Sequence, residues 1–522
     1  MSQHVPDHAS ASAVLDRAVR TAPDAFGTGG RLKNLYAGTW QEGGTPTPLV
    51  TPLDGTTIAE MAKVDKETAQ RAVGAASEAH LEWSKVPLAQ RRERVLAALD
   101  ALAEARDDLA LLLAWEIGKP WRLACADVDR ALDGVRWYLE EIEGMLATDV
   151  TGAPYDRRPL PGPVSNIASW NYPMSVLVHA ELVQLLAGNA VIAKTPSQGG
   201  AITLTLAHSL MAAAGLPVTL LSGDGSALSD ALVRSPELGA LAFVGGRSNG
   251  GKVAAQLVDT GKRHFLEQEG LNAWGIWEFS DWAGLGKHLQ KGFEYAKQRC
   301  TAYPRYVVQR ELVDAFLATY LPVVSSVRVG HPLIVENDGD PWPELDFGPL
   351  VTAAKATELD DKVREALRWG AIPLYRGALD PTLLLPGQDT SAYHPPVALL
   401  APPGASRLMH EEPFGPVDTI VVVDTEAELL AQMNASNGAL VASIACDDQE
   451  QAQGLAEHVQ AFKVGINKPR SRGDRAEYFG GRGASWKGAF VGGSALVQAV
   501  TIGPDGEHLY GNFPDYSRYP AT

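Results

Sequence analysis

Cys300, in the run Lys297-Gln298-Arg299-Cys300-Thr301-Ala302, is the residue with most chemistry to offer. A thiol attacks as its thiolate, and cations such as Lys297 and Arg299 lower its pKa from a free value of about 8.5. A lone cysteine is more often a small buried apolar residue. Its interest comes from those flanking charges and from its place on a loop, between a helix expected over residues 286–295 and a strand. Glu267 ends a short apolar strand, where a carboxylate can face solvent or act as a general base. Two motifs overlap at Gly245–Val253. Gly246 to Lys252 has the Gly-x-x-x-x-Gly-Lys spacing of a phosphate loop, but Val253 stands where magnesium needs a hydroxyl. The same residues read Gly-x-Ser-x-Gly around Ser248, the turn of a serine esterase. His264, His331, His394, His410 and His508 follow it, yet no His-Gly-Gly-Gly loop precedes it. The simpler reading is a Gly-rich turn that lets a phosphate reach a helix N-terminus. There is no Cys-x-x-Cys and no His-Glu-x-x-His, and His410-Glu411-Glu412 lacks a second histidine, so no metal is expected.

These residues need elements to hold them. From Pro161 onward, strands expected at 164–168, 190–194, 218–221, 240–244 and 264–267 alternate with helices at 174–187, 201–214, 226–234 and 250–260. Such alternation implies right-handed βαβ units and a parallel sheet, which binds ligands at the carboxyl ends of its strands. Trp170, Asn171, Lys194, the Gly223–Gly225 turn, Gly245, Gly246 and Glu267 all fall at such ends. Strands near 306–309, 397–401, 419–423 and 440–446 make a second α/β domain. Apolar spacing from Leu88 to Gly118 reads as two amphipathic helices. The first ~30 residues read as a loosely held arm. The stretch after Gly493, with Tyr510, Phe513, Tyr516 and Tyr519, reads as a tail placed on a neighbouring subunit.

Composition narrows the function classes. The chain has 522 residues, enough for about three domains. A formal charge of −17 argues against a general nucleic-acid or anionic-membrane binder. No apolar run approaches the ~18 residues of a membrane span. The first seven residues carry neither a basic flank nor an apolar stretch, and three distant cysteines make no disulfide framework. A cytoplasmic multidomain enzyme is expected.

Taken together, the motifs resemble those of the aldehyde dehydrogenase superfamily over roughly residues 32–501. Pro163-Val164-Ser165-Asn166-Ile167-Ala168-Ser169-Trp170-Asn171-Tyr172-Pro173 resembles the Pro-Trp-Asn-Phe/Tyr-Pro segment, and Lys194-Thr195-Pro196-Ser197 resembles Lys-Pro-Ser-Glu. Phe243-Val244-Gly245-Gly246 stands for Phe-Thr-Gly-Ser, Leu266-Glu267-Gln268-Glu269-Gly270 for Leu-Glu-Leu-Gly-Gly, and Gln298-Arg299-Cys300 for Gly-Gln-x-Cys. Glu411-Glu412-Pro413-Phe414-Gly415-Pro416 is similar to Glu-Glu-x-Phe-Gly-Pro, and Ile466-Asn467 to a late Val-Asn.

The resemblance implies a fold: a Rossmann-type cofactor domain, a second α/β catalytic domain and a small oligomerisation segment. Residues 1–30 would be the arm and 31–142 with 161–268 the cofactor-binding domain. Residues 269–482 would be the catalytic domain, and 143–160 with 483–522 the oligomerisation segment and tail. It also implies roles. Cys300 would attack an aldehyde, Asn171 would steady the oxyanion and Glu267 would activate water. Ser169, Trp170, Lys194, Ser197, Gly223, Gly245, Gly246, Glu412 and Phe414 would bind the cofactor. Tyr172, His179, Arg299 and Tyr303 would line the substrate pocket.

Ser197 stands where relatives preferring NAD carry a glutamate that repels a 2′-phosphate, so NADP is expected over NAD. Glu269 replaces a glycine. It either couples to Glu267 across one face of an extended chain or points to solvent. Trp274, Trp277 and Trp282 are expected in the catalytic-domain core. The expected partners are a small aldehyde and further copies of the chain, as a homodimer or homotetramer. The alternatives are a CoA-acylating dehydrogenase, a Ser248 esterase and a family member without catalysis.

Overall fold

The computed structural model describes residues 3–436, 438–471 and 474–520. The first sheet has ten strands. Its core is five parallel strands in the spatial order Val218–Leu221, Val191–Lys194, Val164–Ile167, Ala240–Val244 and Arg263–Glu267. That order reverses direction on either side of Val164–Ile167, which opens a ligand crevice at the carboxyl ends. Every residue of Val191–Lys194 and Val218–Leu221 is buried, as expected for strands covered by helices on both faces. Asn34–Tyr36 extends one edge antiparallel, and Trp486–Ala489 pairs antiparallel with the Glu267 strand at the other.

The second sheet has seven strands, in the order Ile372–Arg376, Val397–Leu400, Val417–Val423, Arg305–Gln309, Ala273–Ile276, Ala439–Ala445 and Ala461–Ile466. All are parallel except the first. The chain leaves the first sheet at Glu267 and enters the second at Ala273. Cys300 lies just before Arg305–Gln309, the parallel neighbour of Ala273–Ile276. The strand-end carboxylate and the thiol are thereby brought to one junction.

Several local expectations change. The N-terminal arm is not loose: Ala11–Thr21 is a helix that buries Val14 and Ala18, Trp115 Nε1 donates to Ala9 O at 2.8 Å, and Arg17 pairs with Asp108 at 2.6 Å. The helix before Cys300 runs over Trp282–Gly292, because Asp281 caps it by accepting from Gly284 N. The helix after Gly246 begins at once, at Arg247. Pro173–Val178 forms a wide π-type turn before the regular helix His179–Leu186.

The C-terminal stretch folds on its own chain. Gly493–Ala499 is a buried helix, Gly511–Asn512 pairs with Trp486–Ala489, and the Tyr519 ring lies 5.3 Å from that of Phe490. Trp274 and Trp277 are buried, whereas Trp282 is only partly so. Among the described residues no helix is long and apolar enough to cross a membrane.

Candidate active site

The loop that carries Cys300 is held from several sides. Tyr295, Ala296 and Lys297 all have left-handed φ values (58°, 53° and 56°), a conformation that costs a non-glycine residue roughly 1–2 kcal/mol. Surrounding contacts must offset that cost. Lys297 is buried; its Nζ donates to Asp418 Oδ1 at 2.6 Å, Tyr303 O at 3.0 Å and Tyr306 OH at 3.2 Å. Tyr320 OH donates to the other oxygen of Asp418 at 2.8 Å. Burial lowers the Lys297 pKa and raises that of Asp418, each opposed by the partner's charge. The Lys297 charge is therefore matched inside the second α/β domain. It is not a bare cation beside the thiol, which corrects the expectation from its flanking position.

Gln298 is fully buried and accepts from Val351 N at 3.1 Å. Asn272 Nδ2 donates to Cys300 O at 2.8 Å and Ala302 O at 2.7 Å, while its Oδ1 accepts from Val441 N at 3.1 Å. Gly270 lies against the same loop, since a Cβ there would come 2.4 Å from Cys300 O. Cys300 itself is partly exposed and in no disulfide.

Asn171 reaches the loop from the other domain. Its Nδ2 donates to Gln298 O at 3.0 Å, and its Oδ1 accepts from Ser169 Oγ at 2.6 Å. A side-chain amide has two N–H groups, so one serves the loop and the second can serve a ligand. The Asn171 backbone is fixed by Lys119, which motif spacing did not flag. Lys119 Nζ donates to Asn171 O at 2.7 Å and to Asp127 Oδ2 at 2.9 Å, and lies 3.9 Å from the Tyr172 ring centroid. Asp127 in turn accepts from Ser175 N at 3.0 Å, within the π-type turn. This buried pair ties the turn to the oxyanion candidate.

Three carboxylates approach the junction. Glu267 is buried at the end of its strand and lines a cavity of about 80 Å³ with His179, Tyr138, Leu177 and Trp486. Glu269 lies beyond the strand and faces Arg247, with Nε to Oε1 at 3.6 Å. It thus faces a cation and does not point freely to solvent. Glu412 is buried, and its pKa is held well above the usual carboxylate range by burial first and the Glu269 charge second, with Lys355 opposing.

The crevice at the carboxyl ends collects the cofactor candidates. Lys194 is buried, its Nζ donates to Thr195 O at 2.8 Å, and burial lowers its pKa to about 8. Ser197 beside it is exposed. Lys63, which carries no motif, pairs with Asp224 at 2.9 Å in the turn after Gly223. Gly246 opens on free space, with nothing within 4 Å of an added Cβ, and Gly245 N donates to Glu267 O at 3.1 Å. The Trp170 and Phe414 rings meet edge to face at 5.7 Å, and Phe414 is left-handed at φ 48°. Cations at one end, an open glycine turn in the middle and an aromatic pair at the other fit a dinucleotide.

The remaining expected site residues are more dispersed. Tyr172 sits beside the Cys300 loop, its pKa raised by burial to about 12 and lowered slightly by Arg299. Arg299 Nη2 donates to Gly292 O at 2.9 Å, and the Tyr303 hydroxyl is committed to Ser443 Oγ at 2.9 Å and Arg470 N at 2.8 Å. Tyr303 is therefore a structural tie, not an open lining residue. Ser248 is exposed on the first turn of its helix, and among the described residues no histidine is bonded to it. Also among the described residues, no group of three His, Cys, Asp or Glu side chains is placed to hold a metal.

A doubly wound sheet joined to a second, mostly parallel sheet, with a thiol, an amide and a carboxylate at the junction, defines a two-domain α/β architecture with a crevice that fits a dinucleotide. Comparison with known proteins gives the family. The profile of the aldehyde dehydrogenase family matches residues 40–502, and the chain belongs to that family. It is 27% identical to betaine aldehyde dehydrogenase 2 of Rhizobium meliloti over 431 residues, 80% of this chain and 85% of that protein. It is 24% identical to the mitochondrial succinate-semialdehyde dehydrogenase of rice, over 84% of this chain and 82% of that protein. Among solved structures, an NADP-dependent glyceraldehyde-3-phosphate dehydrogenase from Bacillus halodurans, crystallised with NADP, matches with a TM-score of 0.80 at 26% identity, covering 90% of this chain and 98% of that one.

Proposed function

We propose that the protein oxidises a small aldehyde to a carboxylic acid with NADP, using Cys300 as nucleophile and Glu267 as base. The observation that supports this reading is the convergence on the Cys300 loop of Asn171, which bonds Gln298 O, Asn272, which bonds Cys300 O, and the chain from Glu267 to Gly270, which lies against it. The Cys300 thiolate adds to the carbonyl carbon, and the oxygen takes the negative charge. The second N–H of Asn171 and the backbone N–H of Cys300 donate to that oxygen. A dinucleotide held by Lys194, Gly246, Glu412 and Phe414 would supply the acceptor for the hydride of the thiohemiacetal carbon, so that Cys300 would then carry the acyl group as a thioester. Glu267 removes a proton from water, the resulting hydroxide attacks the thioester, and the thiolate leaves as the carboxylate product forms.

Lys194, with Lys63 nearby and no carboxylate at position 197, favours a 2′-phosphate on the adenosine ribose. The Bacillus halodurans relative, crystallised with NADP, supports the same preference. Gly246 leaves room for the diphosphate, with Gly223 and Gly245 in the turns beside it packed on Leu228 and Phe243; Ser169 and Trp170 line the crevice, and Glu412 and Phe414 hold the nicotinamide end. Tyr172 and His179 flank the aldehyde, and Arg299 lies beside Tyr172. A cytoplasmic homodimer or homotetramer completes the proposal.

The test is reduction of NADP and of NAD by purified protein with aliphatic, aromatic and carboxylated aldehydes, with and without CoA, using Cys300→Ala as control. Reduction without CoA that is lost in Cys300→Ala is the expected result. A strict requirement for CoA replaces hydrolysis with acyl transfer, and full activity of Cys300→Ala refutes the thiolate route.

A further inference from the structure

The turn Gly245-Gly246 opens into the helix Arg247–Leu257, and Gly246 faces empty space. A helix start of this kind presents unpaired N–H groups and a partial positive charge to an anion. Here a carboxylate of the chain already stands there. Arg247 N points at Glu269 Oε2 across 3.5 Å, and Arg247 Nε faces Glu269 Oε1 across 3.6 Å. The first separation is at the long limit of a hydrogen bond and the second is an ion-pair distance beyond it, so the anion is held near its donors without being locked to them. Glu269 is 17% exposed and Arg247 29%, and Arg247 Nη2 reaches only as far as Ser436 O at 3.4 Å. Glu269 faces Arg247, and its charge is the second cause, after burial, that raises the nearby Glu412 carboxyl.

We infer that Glu269 is a built-in competitor for the cofactor diphosphate: it occupies the anion position at the Arg247 helix, and a bound dinucleotide must displace it. This takes for granted the dinucleotide site proposed above and adds how that site is regulated. A phosphate oxygen can approach Arg247 N and the guanidinium more closely than the tethered carboxylate does, and it brings more charge. The free protein therefore neutralises Arg247 itself, and cofactor affinity is the difference between two anions competing for one group. The diphosphate is common to NAD and NADP, so the competition weakens both alike, independently of any preference set at Lys194.

The test is direct binding to the full chain, by calorimetry and by quenching of tryptophan fluorescence, with no aldehyde present. NADP and NAD are each titrated into the wild type, Glu269→Gly and Glu269→Gln, with inorganic pyrophosphate as a third ligand. Removal of the competing charge is expected to tighten all three ligands by a similar factor, roughly 5- to 10-fold. Glu269→Gln keeps the side chain's bulk and so separates charge from space. Arg247→Gln should weaken all three. If Glu269→Gln leaves binding unchanged or weakens it while the wild type binds both cofactors, Glu269 orients Arg247 and does not compete; the inference falls and the dehydrogenase reading stands. If neither cofactor binds the wild type or any variant, both fall together.

Discussion

The Lys297–Asp418 pair makes a sharp prediction because nothing about it touches solvent: the two side chains are 2% and 0% exposed. Lys297→Met leaves the Asp418 carboxylate with Tyr320 OH as its remaining donor, and Asp418→Asn leaves a buried ammonium facing a neutral amide. Breaking a buried pair by removing one partner costs about 3–5 kcal/mol, whereas replacing both by neutral groups costs far less. The double variant should therefore be more stable than the sum of the singles implies, with a coupling of roughly 2–3 kcal/mol. A domain of 150–250 residues shifts its melting midpoint by about 2–4 °C per kcal/mol, so each single change should lower the catalytic-domain transition by roughly 6–20 °C. Intrinsic tryptophan fluorescence reports it, the buried Trp274, 5.3 Å from the Tyr303 ring, being one of the twelve tryptophans that contribute. Urea and thermal unfolding followed by that fluorescence, at one protein concentration, provide the assay. The rate of Cys300 alkylation shows in parallel whether the loop has moved. Additive single effects, each below about 1 kcal/mol, would refute the claim that this pair holds the left-handed turn in place.

Three further outcomes can be checked. Burial lowers Lys194 to about pH 8, so its positive charge is complete below pH 7 and lost as pH rises through 8. NADP affinity relative to NAD should then fall with rising pH by up to about tenfold per unit, and a flat ratio between pH 7 and 9.5 would remove Lys194 from phosphate recognition. Asn272→Ala removes the side-chain donor to the carbonyls of Cys300 and Ala302 and the acceptor for Val441 N–H, and a buried group that loses its partner costs about 1–3 kcal/mol. It should lower kcat far more than it raises KM and slow Cys300 alkylation; unchanged values of both would show that the loop holds itself. Glu267→Gln should still give one equivalent of reduced cofactor in a rapid burst and then turn over about 10²–10⁴-fold more slowly, with acyl-enzyme detectable by mass spectrometry. A uniform loss of burst and steady state would move Glu267 to an earlier step.

The doubly wound sheet was legible because each of its strands is a short apolar run closed by a glycine turn or a polar residue, and the crevice residues Lys194, Gly246 and Glu267 fall where those runs end. Ala273–Ile276 was missed. It begins only six residues after Glu267 and reads as a continuation, although the chain there crosses to another sheet. The left-handed run Tyr295–Lys297 could not be read, since none of the three is a glycine. Its support comes from Asp418 and Asp346, far away in sequence. Lys119, Asn272 and Lys63 escaped for the same reason: each acts through a partner more than 25 residues distant, and no motif spacing marks such a partner. The signal for Lys119 was weak: a lysine just before a helix and an aspartate eight residues on, inside it. Aromatic residues 510–519 looked unfit for a core because they follow no period. They fold as a short hairpin against the Trp486 edge, where rings pack without helical or strand spacing.

Lys297 and Glu269 both stand where the motifs they resemble carry glycine, and their treatment differs in a way that bears on function. Lys297 is enclosed: it has a carboxylate at 2.6 Å, two further acceptors and two aromatic rings, so its charge is cancelled where it stands and serves to fix the backbone. Glu269 is only half satisfied, 3.6 Å from its cation, partly exposed and next to another carboxylate. A buried ion pair with several donors resists exchange, whereas a long, partly exposed pair gives way to a better anion at small cost. The Cys300 loop is thus built to stay put while the Arg247 helix start, the proposed diphosphate end of the crevice, is built to change partners. That division assigns stability to the first substitution and ligand response to the second. Lys297→Met should consequently move the melting curve with little effect on cofactor affinity, and Glu269→Gln should do the reverse.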